Sequence, residues 1–112
     1  MKRVHLSRKL VLEAPERMPD SAGGFVQSWE PQGVVWAQMS ARTGRTRDGG
    51  DVSLASVGYR IVVRGAARGT PSRPEPGMRF REGLRVFSIQ AVAEHEPSGR
   101  YLTCFAREEV SV

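Results

Sequence analysis

Hydrophobic and polar residues alternate with a period of two along most of this chain. In the segment 59–64, Tyr59, Ile61 and Val63 share one face, and arginines lie on the other. Such alternation is typical of a β-strand with one buried face. The chain has 12 glycines and 7 prolines, and most of them lie between the alternating segments, where they mark turns. The pattern therefore predicts an all-β fold, a small antiparallel β-barrel or sandwich.

The same alternation divides the chain into about six to eight strands. The segments that alternate most clearly are 5–13, 25–30, 34–41, 57–64, 78–81, 84–94 and 101–108. Residues 14–24 and 31–33 are rich in proline and glycine, so a loop and a turn are expected there. Two long loops are expected to project near 42–53 and 65–77. The length of 112 residues fits a single domain over 1–112.

Composition and charge change this picture in two ways. Apolar residues make up 39% of the chain, below the roughly 45–50% of an average globular domain. This predicts a thin core and some apolar surface that a partner completes. The net charge is +5, from 17 basic and 12 acidic residues, and nearly all the basic residues are arginine. Guanidinium groups suit carboxylate and phosphate partners alike, and a coding bias toward arginine would give the same composition, so charge alone does not choose a partner.

Few residues offer chemistry. His5 and His95 lie far apart, each without a second histidine or cysteine at metal-ligand spacing, so no metal site or cofactor is expected. Cys104 lies in an apolar strand and is expected to be a small, buried and inert hydrophobe. Neither a nucleophile elbow nor a phosphate-binding loop signature is present. These observations argue against an enzyme.

The sequence shows no targeting or membrane segment. The N-terminus carries charges where a signal peptide needs apolar residues, and no window approaches about 18 consecutive apolar residues. We therefore expect a soluble protein that is synthesised in the cytoplasm and has no membrane partner.

A small basic β-barrel that binds nucleic acid is the alternative function that the residues themselves suggest. Arg42, Arg45 and Arg47 crowd one predicted loop, but Asp48 and Asp51 reduce its net charge to +1. Proteins that bind single strands usually place aromatic residues among the basic ones. Neither long loop contains an aromatic residue. Weak attraction to phosphates remains open, whereas recognition of a base sequence has little support.

Six short elements occur in an order that points to a family. They are Leu6 to Leu12; Gly23, Gly24 and Trp29; Val35-Trp36-Ala37; Thr43-Gly44-Arg45; Tyr59-Arg60-Ile61 with Val63 and Arg64; and Met78-Arg79-Phe80 with Gly83, Phe87 and Ile89. In this order and spacing they resemble the bacteriophage head-tail joining proteins, the head-closure or stopper proteins of phages, prophages and gene transfer agents. The residues after Arg45 depart from the family pattern, which often has a glutamate and a more helical segment there.

The resemblance implies a structural virion protein without a cofactor. It implies a β-barrel subunit that forms a homo-oligomeric ring of six or twelve copies at the neck of a virion or virion-like particle. The ring would lie between a portal-side adaptor and a tail terminator or other tail-side protein. It would surround packaged double-stranded DNA, close the channel after packaging and provide the surface to which the tail attaches. Synthesis would take place in the bacterial cytoplasm.

Two loops and six core residues are the sites we expect under this resemblance. The loop with Arg42, Arg45, Arg47, Asp48 and Asp51 is either a channel gate or a docking loop, and both interpretations stay open. The proline-rich loop with Arg68 and Arg73 is expected to be a docking surface. The residues expected in the core are Trp29, Trp36, Tyr59, Ile61, Phe87 and Ile89.

Overall fold

Six antiparallel strands form one closed sheet in a computed structural model that describes residues 3–42 and 57–109. Around the barrel the strands follow the order β1-β2-β3-β6-β5-β4, and β4 pairs with β1 to close it. No helix occurs in the described residues, so the all-β prediction is confirmed. The strands are β1 (Arg8–Pro19), β2 (Phe25–Ala41), β3 (Gly58–Arg64), β4 (Arg79–Glu82), β5 (Arg85–Glu94) and β6 (Tyr101–Glu108).

Alternate side chains from all six strands fill the inside of the barrel. Phe80 and Phe87 are fully buried and face each other as partners across β4 and β5. The remaining buried apolar residues of the cluster are Leu10, Leu12, Ala37, Ile61, Val63, Ile89, Leu102, Cys104 and Ala106. The middle of β6 is buried on both faces, because Thr103 is buried as well. The alternation in the sequence thus corresponds to residues that point into or out of one small core.

The first two strands are longer than the sequence pattern predicts. The segment 14–24 was expected to be a loop, but β1 continues through Pro19, and its partner β2 begins at Phe25. The turn expected at 31–33 is also absent. Gln32 is instead an extra residue in β2, because Leu12 pairs with Gly33 while Glu13 pairs with Pro31. This β-bulge takes up the irregular residue without ending the strand.

Two of the six residues expected in the core lie outside it. Trp36 is 52% exposed, because its neighbours Val35 and Ala37 are the residues of β2 that contact the core. Adjacent residues of a strand point to opposite faces, so Trp36 faces outward. Trp29 is half-buried and stacks on Arg79, not among the core residues. For these two tryptophans the core prediction is wrong.

The other residues expected in the core lie inside the barrel or at its edge. Ile61, Phe87 and Ile89 belong to the buried cluster. Tyr59 is half-buried, and its ring meets that of Phe87 edge to face at 5.3 Å between centroids. The segment 65–78 joins β3 to β4 without strand structure.

Candidate assembly interface

A two-stranded ribbon extends from one end of the barrel. Residues 14–19 of β1 pair with residues 25–30 of β2, and within the described residues neither segment pairs with another strand. We call this segment, 14–30, the ribbon. Most of its residues are exposed. The ribbon contributes to the elongated shape of the molecule, which measures 54 × 42 × 24 Å along its principal axes. A ribbon that projects so far offers contact surface well away from the core.

A hydrogen-bonded turn gives the ribbon a defined tip. The Oδ1 atom of Asp20 accepts hydrogen bonds from the backbone N–H groups of Ala22 and Gly24, each at 2.8 Å. The backbone N–H of Asp20 also donates to the carbonyl oxygen of Gly24 at 2.9 Å. Gly23 adopts a φ of 84°, a conformation that favours glycine. The Gly23-Gly24 pair therefore closes a hairpin.

Large apolar side chains lie exposed on the ribbon. Met18 and Val26 are direct cross-strand partners, exposed at 52% and 54%. On the opposite face, Phe25 is 62% exposed and carries the guanidinium of Arg17 over its ring at 4.7 Å. Exposed apolar groups on a projecting element are unfavourable in water, so they indicate a surface that a partner covers.

An ion-pair cluster fastens the base of the ribbon to the barrel. Glu13 is buried, and its two carboxylate oxygens accept hydrogen bonds from Nε of Arg79 at 2.7 Å and from Nε of Arg81 at 2.9 Å. The guanidinium of Arg79 also lies 4.1 Å above the ring of Trp29. Burial alone would raise the pKa of Glu13, but the hydrogen bonds from Arg81 and Arg79 outweigh it, so the pKa is lowered. Arg79 of β4 thereby contacts both Glu13 at the end of the barrel and Trp29 of the ribbon.

A second apolar surface lies on the outer face of β2. Val34 and Trp36 are exposed at 54% and 52%. Together with Leu6, Val35 and Arg64 they line a shallow pocket. Lys9 pairs directly with Trp36 across β1 and β2, so its side chain lies on the same outer face. We call the outward-facing surface, made of Leu6, Lys9, Val34, Trp36 and Arg64, the β2 patch.

A charge network closes the mouth of the barrel opposite the ribbon. Arg8 binds Glu82 through two hydrogen bonds of 2.8 and 2.6 Å. Arg85 binds Glu108 in the same way at 2.8 and 3.0 Å and also donates to the hydroxyl of Tyr59 at 3.2 Å. The hydrogen bonds from the arginines lower the pKa of both carboxyl groups. Paired charges of this kind are already satisfied within the subunit.

The residues expected to form the two functional loops are only partly within the described ranges. Arg42 is exposed, its backbone N–H donates to the carbonyl oxygen of Gly58 at 2.8 Å, and its guanidinium lies 5.3 Å from the centroid of the Phe105 ring. It therefore marks where the segment after β2 leaves the mouth closed by the charge network. The other residues of that loop lie outside the described residues; they are Arg45, Arg47, Asp48 and Asp51.

In the second loop the two arginines differ. Arg68 is exposed, whereas Arg73 is half-buried and donates to the carbonyl oxygen of Ala66 at 2.8 Å. Arg73 thus stabilises the loop from within, and Arg68 is the more accessible of the two for a docking contact.

Sequence reasoning missed the ribbon as a candidate interface. Prolines at positions 15 and 19 suggested a loop, although proline is tolerated at the edge of a sheet. Two signals could have indicated the ribbon: the Gly23-Gly24 pair, and the apolar residues Met18, Phe25 and Val26 on either side of it.

Few of the described residues belong to types that carry catalytic or metal chemistry. Among residues 3–42 and 57–109, no group of three or more His, Cys, Asp or Glu side chains could hold a metal ion. Cys104 is buried, and desolvation raises the pKa of its thiol to about 12. Within the same ranges, no helix has the length and apolar character needed to cross a membrane.

The model of the phage head completion protein family matches residues 1–109 of this chain. The chain belongs to this family. The family resemblance seen in the sequence is thereby confirmed, and the protein is a structural component of the virion, located at the neck.

Solved structures agree with this assignment. This head completion protein is 52% identical to a chain in the virion of a native gene transfer agent particle, with a TM-score of 0.83 over 98% of this chain and 100% of that one. A Shigella flexneri 2a protein solved in solution is 18% identical, with a TM-score of 0.69 over the full length of both chains, which shows the shared fold alone. No curated protein matches the chain.

The charge distribution of the head completion protein gives little support to a free nucleic-acid binder. Four of its arginines direct their guanidinium groups to carboxylates; they are Arg8, Arg79, Arg81 and Arg85. The three glutamates that they contact, Glu13, Glu82 and Glu108, offset three of these four positive charges, which would otherwise attract phosphates. The described residues also expose large apolar side chains, among them Met18, Phe25 and Trp36, and exposed apolar patches are typical of surfaces that bind a protein partner.

Proposed function

We propose that this head completion protein forms a ring of six or twelve copies that closes the DNA channel and offers the tail its attachment surface. The ring lies between a portal-side adaptor and a tail-side protein, with packaged double-stranded DNA in its channel. The observation that carries the proposal is the presence of two separate exposed apolar surfaces on one chain, the ribbon and the β2 patch. The likeness to a chain of a native gene transfer agent virion supports the same role.

A ring accounts for the thin core. Subunit contacts stabilise the folded state by mass action, so a small domain gains stability from its neighbours. Closed rotational symmetry also repeats each loop around the axis. The segment between β2 and β3, with a net charge of +1 over residues 42–51, then forms a band of positive charge. Such a band suits DNA in the bore.

The gate of the channel is the segment between β2 and β3 in this proposal. Its first residue, Arg42, lies at the mouth of the barrel closed by the charge network, on the opposite side from the ribbon. The remaining gate residues are Arg45, Arg47, Asp48 and Asp51. The loop with Arg68 and Arg73 then serves as a docking surface for the adaptor or the tail-side protein.

Particle assembly tests the proposal directly. Particles produced without this chain are mixed with the purified protein, and native mass spectrometry reports the oligomeric state of the protein alone and on particles. We expect a ring, or a monomer that joins the particles and restores tail attachment. A monomer that ignores the particles but shifts DNA at low salt contradicts the proposal and supports the nucleic-acid-binding alternative.

The gate is tested by replacing three arginines at once. The variant Arg42→Ala, Arg45→Ala and Arg47→Ala should fold and melt like the wild type but should fail to give stable DNA-filled particles. The control variant Arg3→Ala with Arg100→Ala removes exposed positive charge elsewhere and should assemble normally. Normal yields of DNA-filled particles from the triple variant would show that the segment is not the gate.

A further inference from the structure

A ring with more than two members needs two different surfaces on every copy. In a head-to-tail ring, one surface of each subunit binds the other surface of the next. A single self-complementary patch would give only a dimer. The following inference rests on the proposed ring and identifies those two surfaces.

The first surface is one face of the ribbon, which is apolar near the tip and acidic toward the barrel. Met18 and Val26 are cross-strand partners near the tip. Glu16 pairs with Ser28, and Glu30 pairs with Ala14, so both glutamates lie on the same face as Met18 and Val26. Both glutamates are exposed.

The second surface is the β2 patch, which has the opposite charge. Its apolar centre is Val34 and Trp36, and they line a shallow pocket together with Arg64. Lys9 and Arg64 are exposed and flank Trp36. The patch is thus a concave apolar surface with a basic rim, complementary in charge to a narrow ribbon that carries an apolar pair near its tip and two glutamates next to that pair.

The ribbon cannot reach the β2 patch of its own chain. Val26 and Trp36 lie on the same continuous strand, ten residues apart, a separation of about 33 Å along an extended strand. Pairing with β1 continues along that strand on both sides of the bulge at Gln32, so the strand does not fold back on itself. Only the ribbon of another copy can therefore bind the patch.

We propose that the Met18–Val26 face of the ribbon of one copy docks on the β2 patch of the next copy around the ring. The side chain of Trp36 packs against Met18 and Val26. Glu16 and Glu30 lie opposite Lys9 and Arg64 across the contact. Aromatic and arginine side chains are the residue types that most often dominate such interfaces.

A charge exchange tests the contact. Lys9→Glu with Arg64→Glu makes the rim of the patch acidic, and Glu16→Lys with Glu30→Lys makes the ribbon basic. Each double variant alone should lower the yield of tailed, DNA-filled particles at least tenfold, because like charges then meet. The four substitutions in one chain should restore the yield. Assembly of both double variants at wild-type yield, or failure of the fourfold variant while its isolated subunit melts like the wild type, would overturn the proposal.

Crosslinking on assembled particles gives an independent test. A chain with Val26→Cys and Trp36→Cys, treated with a bifunctional maleimide, should yield a ladder of covalent multimers that ends at the copy number of the ring. The native Cys104 is buried and does not interfere. The control chain pairs Val26→Cys with Gln90→Cys; Gln90 is exposed on β5, which lies across the barrel from β2. It should give no ladder.

The outcomes separate this inference from the proposed function. Particles that contain the protein and carry tails, but give no ladder from the Val26 and Trp36 pair, contradict the contact and leave the neck role intact. A crosslink from either cysteine to a different particle protein shows that the adaptor or the tail-side protein occupies the surface instead. If the wild-type chain neither forms a ring nor joins particles, the proposed function fails, and the contact fails with it.

Discussion

At the scale of single residues, the direction of a side chain decides its role more than its chemical type does. Phe87 and Trp36 are both large aromatic residues in strands. Phe87 points into the barrel and is fully buried, whereas Trp36 points outward and is 52% exposed. The buried ring contributes to folding, and the exposed ring is available for a partner.

Substitution of these two residues should separate stability from assembly. Phe87→Ala should lower the free energy of unfolding by about 3–5 kcal/mol, because it leaves a cavity in the core. Trp36→Ala should change it by about 1 kcal/mol or less, since the residue already contacts water. Urea denaturation of the isolated, monomeric subunit measures both. A loss for Trp36→Ala as large as that for Phe87→Ala would show that Trp36 supports the fold.

At the scale of elements, local irregularities set where strands lie and where they end. The bulge at Gln32 keeps β2 continuous past a proline and a glycine, and the pairing with β1 continues on both sides of it. After β3, by contrast, the chain crosses very close to the β5–β6 turn. The backbone N–H of Gly65 donates to the carbonyl oxygen of Arg100 at 2.7 Å. A Cβ atom at position 65 would lie 2.3 Å from the carbonyl oxygen of Gly99.

Gly65→Ala should therefore destabilise the protein by roughly 1–3 kcal/mol, as expected for overpacking against backbone. Gly58→Ala is the matched control, because its nearest neighbour would lie at an ordinary 3.7 Å. Thermal unfolding followed by circular dichroism measures both variants. Equal unfolding midpoints for the two variants would mean that the backbone at Gly65 can move away from Gly99 at little cost in free energy.

At the scale of the whole molecule, ion pairs join strands that are distant in sequence. Arg8 and Glu82 join β1 to β4, and Arg85 and Glu108 join β5 to β6. Glu13 joins β1 to β4 through Arg79 and Arg81, and it lies on the ribbon side of the bulge. These carboxylates therefore contribute to barrel closure, and their charge state is part of the stability of the fold.

Acid should weaken the barrel. The pKa values of Glu13, Glu82 and Glu108 are lowered in the folded state by hydrogen bonds from arginines, which outweigh the burial of each carboxylate. A lowered pKa means that the stabilisation is complete above the unfolded value of about 4.3 and is lost as the pH falls through the folded values. The unfolding midpoint should thus be steady from pH 7 to about pH 5 and drop toward pH 3.

The variant Glu82→Gln tests the origin of that drop. It should be less stable than the wild type at pH 7 and should lose less stability between pH 5 and pH 3, because one titrating group is gone. Urea titrations at the three pH values measure this. A wild-type midpoint that does not change between pH 5 and pH 3 would contradict the role of these carboxylates.

The class of the fold, several strand positions and the family can be inferred from the amino-acid sequence alone. Period-two alternation can be recognised without knowing which strands pair with each other. It therefore predicts strand β6 at its observed bounds, 101–108. The order and spacing of short motifs along the sequence, including those with Trp29, Trp36 and Tyr59, are sufficient to indicate the head-tail joining proteins. Alternation also separates the two faces of a strand, but it does not say which face is covered.

Which face of each strand is buried depends on contacts between residues that are distant in the sequence. Trp36 faces outward because β2 presents Val35 and Ala37 to the barrel, and that choice depends on the pairing of β2 with β1 and β3. The prolines and glycines of 14–24 and 31–33 predict a loop and a turn, yet strand pairing keeps residues 14–19 and 31–33 extended and leaves only a short turn at residues 20–24. Strand pairing is a contact between distant residues, and its free energy overrides the local preferences of proline and glycine. For this reason the ribbon and the β2 patch can be identified only when the pairing of the strands in the barrel is known.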